Sequence, residues 1–133
     1  MDISKALEEL QEVPRLAVEK AAPKIEKIMV QDVAAGVDPQ GQAWAPLKDG
    51  SGRTPFSSSD RMQRQIDVVP DGLKVRGRLR APWNVHQYGS RNPRKGVAKR
   101  PIFQRNELPP SWDAAMTESA QEAFDEIASK VRK

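Results

Sequence analysis

The apolar residues of this 133-residue chain keep two different periods, and that switch limits what the chain can fold into. Near the amino end Ile3, Leu7 and Leu10, and later Ala21, Ile25, Ile28 and Met29, recur every three or four residues, the period of a helix with one buried face. In the middle the period falls to two. Met62, Ile66 and Val68 alternate with Gln63, Gln65 and Asp67, and Leu73, Val75, Gly77, Leu79 and Ala81 alternate with Lys74, Arg76, Arg78 and Arg80. Towards the carboxyl end Trp112, Met116, Ala120, Ala123, Phe124, Ile127 and Val131 return to the helical period. The expected class is therefore α+β, with an N-terminal helical segment, a small antiparallel sheet built on a hairpin, and a C-terminal amphipathic helix.

Proline and glycine set the joints. Pro14 and Pro23 interrupt the first helical pattern, which predicts either two or three linked pieces or one kinked helix ending near Gly36. Pro70-Asp71-Gly72 supplies turn chemistry between the two alternating runs. Ser111, behind Pro109 and Pro110, is placed to cap the last helix, and Asp113 near its start and Lys130, Arg132 and Lys133 at its end suit the helix dipole. Between these elements lie two long loops. In residues 36–60, eleven of 25 are Gly, Pro or Ser; residues 89–110 are also irregular, with one short strand expected around Ile102-Phe103. Trp83 to Tyr88 fits a helical turn or a third strand. The length suits one domain over residues 1–133.

Material for a core is thin. Leu, Ile, Val and Phe make up 27 of 133 residues, about 20%, so apolar surface is expected to be completed by a partner or by further copies of the chain. Without cysteine there are no disulfides, thiolate metal sites or cysteine nucleophiles, and a single histidine, His86, denies one chain a multi-histidine metal site. The opening Met1-Asp2-Ile3-Ser4-Lys5 lacks a signal peptide's apolar stretch, and no run approaches the ~20 apolar residues of a membrane span. The expectation is a soluble protein made in the cytoplasm.

Charge is distributed unevenly. Residues 1–35 carry five cations and seven anions, 36–70 four of each, 71–105 ten cations against one anion, and 106–133 three against six. Lys74, Arg76, Arg78 and Arg80 fall on one face of a strand, where alternate side chains lie ~6.5–7 Å apart and like charges repel unless matched or screened. Nucleic-acid phosphate, the acidic helices of the same fold, those helices on a neighbouring copy, and plain solvent are all compatible with that row. No aromatic interleaves it, as single-strand stacking would require.

Other chemical signals are weaker. Gly36 to Gly41 has phosphate-loop spacing, but Gln42 and Ala43 stand where Lys and Ser or Thr are needed. Gly50-Ser51-Gly52 lacks the third glycine of a dinucleotide site. His86, beside Tyr88, reads as a packing or hydrogen-bonding residue, because no acid or nucleophile accompanies it. The pairs Glu8/Glu12 and Glu118/Glu122 read as solvated helix faces. Trp44, with Leu47 alongside, either tucks back onto the domain or anchors an interface, and tucking is the expectation. No catalytic residue, cofactor or metal ligand is assigned.

Three segments resemble a known family in the same order. Asp38-Pro39-Gln40-Gly41-Gln42-Ala43-Trp44-Ala45-Pro46-Leu47 is similar to the D-x-x-G-x-x-W-x-P-L segment of the virion morphogenesis, or tail-completion, proteins of tailed bacteriophages of the Mu type. Val85-His86-Gln87-Tyr88-Gly89 is similar to a second segment of that family, and Ala98-Lys99-Arg100-Pro101-Ile102-Phe103 to its P-x-R-P-F segment, with Ile102 inserted before the phenylalanine. The resemblance implies a non-enzymatic α+β protein of the virion, assembled in the bacterial cytoplasm as a ring, sixfold or a multiple, at the head-to-tail junction or tail end. Its implied neighbours are head-closure, portal-side and tail-terminator or tail-tube proteins, with non-specific DNA contact in the lumen and no membrane contact. On that reading Lys74, Arg76, Arg78, Arg80 and Arg100 are subunit-interface or phosphate-contact candidates. The alternative is a small basic protein that binds the phosphate backbone of nucleic acid; a third reading is a nuclease-like toxin using His86 with Arg78 or Arg100.

Overall fold

The computed structural model describes residues 3–44, 55, 61–64, 66–79 and 108–132. Helix α1 (Ile3–Leu10) leads through a turn at Gln11 and Glu12 into the long helix α2 (Val13–Ala35). One helical turn, α3 (Arg61–Arg64), precedes strands β1 (Ile66–Asp71) and β2 (Lys74–Leu79), and helix α4 (Pro110–Val131) closes the chain. The architecture is α+β, with a broken N-terminal helix, a two-stranded antiparallel sheet and a C-terminal helix.

The break falls just ahead of Pro14, which occupies the first turn of α2, where its missing N–H costs nothing. Pro23 lies inside α2 on its exposed side and the helix runs on through it. Helix α2 stops at Gly36, whose N–H bonds the Val33 carbonyl while the Val37 N–H bonds that of Asp32. Burial pushes the Asp32 carboxyl above its ordinary range, the nearby Asp38 charge adds to this, and the carboxylate also faces the negative end of the helix dipole. A raised carboxyl pKa penalises the folded state once the group ionises. Asp32→Asn is therefore expected to raise the melting temperature at neutral pH, an advantage that fades as pH falls below the carboxylate range; thermal melts across pH check it.

Helices α2 and α4 pack antiparallel, as the pairs Lys20–Glu126 (3.0 Å), Lys24–Glu122 (3.0 Å) and Lys24–Glu118 (3.5 Å) show. On α4 the buried stripe is Ala115, Ser119, Ala123 and Ile127, opposed by Ala21, Ala22, Ile25 and Met29 of α2. This corrects the expected stripe, since Met116, Ala120 and Phe124 are exposed. Small residues at four-residue spacing let the two helices approach closely, and the bulkier side chains flank the contact. The cap is corrected too: α4 starts from Pro109, whose carbonyl accepts the N–H groups of Trp112 (3.0 Å) and Asp113 (2.9 Å), with Pro110 rather than Ser111 in the first position.

The hairpin lies against α2. Ile66 and Val68 are buried with Val33 and Trp44 in one cluster, and Val75 packs against its edge. Met62 belongs to α3 rather than to the strand, which begins at Ile66. Pro70 and Asp71 stay in the ladder opposite Val75 and Lys74, so the turn is Gly72-Leu73 instead of Pro70-Asp71-Gly72. Gly72 has φ 62°, the positive value that tight two-residue hairpin loops need at their first central position. The outward N–H of Val68 donates to Glu26 Oε1 of α2 at 3.0 Å, and at Pro70, two residues on along the same edge, there is no N–H to satisfy.

Residues 36–44, expected to be part of a long loop, form a compact turn. Asp38 Oδ1 accepts the N–H groups of Gln40 and Gln42, each at 2.9 Å; the Asp38 N–H donates to the Gln42 carbonyl, and Gly41 N–H to that of Asp38. Val37 bridges to Ala43, and the Trp44 N–H closes the turn on the Gly36 carbonyl at 3.0 Å. Gly41 has φ 85° and open space where a Cβ would stand, so Gly41→Ala meets backbone strain alone. It is expected to cost about 1–2 kcal/mol in chemical denaturation.

Candidate interaction surface

The outer face of the hairpin carries the basic row. Lys74, Arg76 and Arg78 are exposed, and the register sets Asp71 opposite Lys74, Val69 opposite Arg76 and Asp67 opposite Arg78. Opposed residues of an antiparallel pair share a face, so two carboxylates stand among these three cations. Arg76 takes Asp71 as its ion-pair partner. Lys74 and Arg78 pair with no carboxylate among the described residues. Reading β2 by itself missed Asp67 and Asp71; the register shows them.

The acidic helix is engaged within its own chain. Lys24 donates to Glu122 Oε1 and holds that carboxyl below its ordinary range. Glu118 shares the same ammonium, and Glu126 takes Lys20. The expected solvated pair Glu118/Glu122 is exposed, and it also ties α4 to α2.

Behind the basic row, between the hairpin and helices α2 and α4, lies an apolar groove of about 400 Å³. Val75, Leu108, Trp112 and Met116 line it, and Leu73 and Lys74 stand at the turn that borders it. The alternation puts Leu73 at the start of the strand, on the face shared with Val75; it stands on the turn instead and is 71% exposed. A second apolar surface lies on α1, where Ile3 and Leu7 are 72% and 56% exposed and Leu10 is partly covered. Their helical spacing is as expected, but their face does not meet the core.

Of the other residues singled out in the sequence, Trp44 is buried in the core cluster beside Met29, Val33 and Ile66. Arg80, Arg100, Leu47, His86 and Tyr88, and the segments around 83–88 and 102–103, lie outside the described residues. Among the described residues no group of three or more His, Cys, Asp and Glu converges as metal ligands, and no helix is long and apolar enough to cross a membrane. Comparison with family models, with curated proteins and with solved structures returns no match.

Proposed function

We propose that this chain is a structural connector of a tailed-phage particle, acting as a ring-forming subunit at the head-to-tail junction or tail end. The observation that carries the reading is the set of exposed large apolar side chains on two surfaces, Ile3 and Leu7 on α1 and Leu73, Leu108 and Met116 around the groove. Uncovered patches of that kind mark protein–protein contact. The kind of assembly comes from the resemblance of three ordered segments to the tail-completion family. In the first of those segments Asp38, Gly41 and Trp44 each have a distinct folding role.

A protein partner suits the hairpin better than phosphate does. Three described cations interspersed with Asp67 and Asp71 make a mixed surface, which fits a patterned protein face, whereas a phosphate-binding strip gains from uniform positive charge. Particles made without this chain are expected to be DNA-filled heads and separate tails in electron micrographs; normal infectious particles would sink the proposal. Arg78→Ala removes an exposed cation without setting a new charge against Asp67. It is expected to leave circular dichroism unchanged and to cut the yield of joined particles about tenfold or more, the effect of ~1.4 kcal/mol at an interface.

A further inference from the structure

We propose that α1 of one copy docks in the groove of the next, so that the chain associates with itself head to tail. The inference rests on the ring reading above for the existence of a copy-to-copy contact and specifies the surfaces that make it. Ile3, Leu7 and Leu10 stand at i, i+4 and i+7, the anchor spacing with which an amphipathic helix enters an apolar groove. Eight residues of helix are about 12 Å long, and the groove, at about 400 Å³, falls within the range of pockets that enclose a ligand.

Charge supports the same pairing. Residues 3–12 hold one cation, Lys5, and three anions, Glu8, Glu9 and Glu12. Arg15 takes Glu12, while Glu8 and Glu9 pair with no cation among the described residues. At the groove's border Lys74 likewise forms no ion pair among the described residues, Asp71 opposite it being taken by Arg76. The acidic helix and the Lys74 ammonium at the border are complementary, which orients the approach as well as attracting it.

Within its own chain α1 packs on α4 and keeps Ile3 and Leu7 exposed. The Lys20–Glu126 pair sets the chain entering α2 beside the far end of α4; the groove runs from Leu108, Trp112 and Met116 at the start of α4 along α2 as far as Val18, and its apolar lining is a different surface from the exposed Ile3 and Leu7 of α1. Each copy thus offers two unlike surfaces, and an unlike pair propagates as a ring or a filament instead of stopping at a symmetric dimer.

The full chain has no cysteine, so single thiols report the contact directly. Leu7→Cys and Met116→Cys are both at exposed positions, and a disulfide forms only when the two Cα atoms come within about 7 Å. Mixing the two variants under mild oxidation is expected to give the 7–116 heterodimer as the main product on non-reducing gels. Adding Lys74→Glu to the Met116→Cys partner should reduce its yield, and one chain carrying both cysteines should give a ladder of multimers. The inference is overturned if the Leu7→Cys homodimer outruns the mixed product, if a Phe124→Cys control traps Leu7→Cys equally well, or if the double variant closes only on itself. Unchanged circular dichroism in every variant assigns a missing crosslink to the contact and not to the fold. A missing crosslink together with separated heads and tails in the absence of the chain would refute this docking mode while leaving the connector reading in place.

Discussion

Trp44→Ala is expected to lower the free energy of unfolding by about 3–5 kcal/mol, the usual effect of deleting a buried tryptophan. Trp44 is 8% exposed and packs in the cluster formed by Met29 and Val33 of α2 with Ile66 and Val68 of the hairpin. Folded domains of ordinary stability exceed the unfolded state by about 5–15 kcal/mol, so a chain with so few large aliphatics would keep little margin after that loss. Trp44→Phe retains most of the apolar contact and should cost much less. Urea titration of both variants distinguishes a core role from a purely interfacial one: a residue used only at an interface would leave the isolated chain's midpoint unmoved.

The second large effect is expected at Met29. It is 1% exposed, and Met29→Ala should cost about 2–5 kcal/mol. Met116→Ala and Phe124→Ala supply the contrast. Their side chains are 40% and 48% exposed, so each should change stability by less than about 1 kcal/mol, although the helical period alone gives them the same standing as Met29. Equal losses at positions 29 and 124 would mean that the α2–α4 contact is rotated from the arrangement described above.

Helical periodicity predicts α4 correctly and places Trp112, Ala123 and Ile127 on its inner side, but it wrongly adds Met116, Ala120 and Phe124, which are exposed, and omits Ala115 and Ser119. Alternate turns offer two stripes, one of large residues through Met116 and Phe124 and one of small residues through Ala115, Ser119 and Ala123. Nothing within the helix ranks them. The ranking comes from α2, which presents Ala21 and Ala22 and so fits against small residues; the ion pairs from Lys20 and Lys24 then hold Glu118, Glu122 and Glu126 beside it. The basic row has a similar history. Lys74, Arg76 and Arg78 are legible as one face of a strand, whereas the carboxylates of Asp67 and Asp71 enter that face only through the register with β1.

The turn at 38–44 was recognisable as a segment before its role was. Its glycine and aspartate are explained by a hydrogen-bonded loop that returns Trp44 to the end of α2, an arrangement in which the partners are two to eight residues apart. Contacts at that range are partly written in local composition. The Glu26 carboxylate on the Val68 N–H, 42 residues away, has no local signature at all.

The sequence by itself determined the types of the long helices and of the hairpin, though not of α3, because apolar period, proline and positive-φ glycine act on the backbone within a few residues. Which helix face is buried, which cations keep a carboxylate, and which leucines and isoleucines are left facing outward were decided only by the tertiary structure. Those outcomes depend on the shape and charge of whatever packs opposite, and a side chain's burial is a property of the pair, not of the residue.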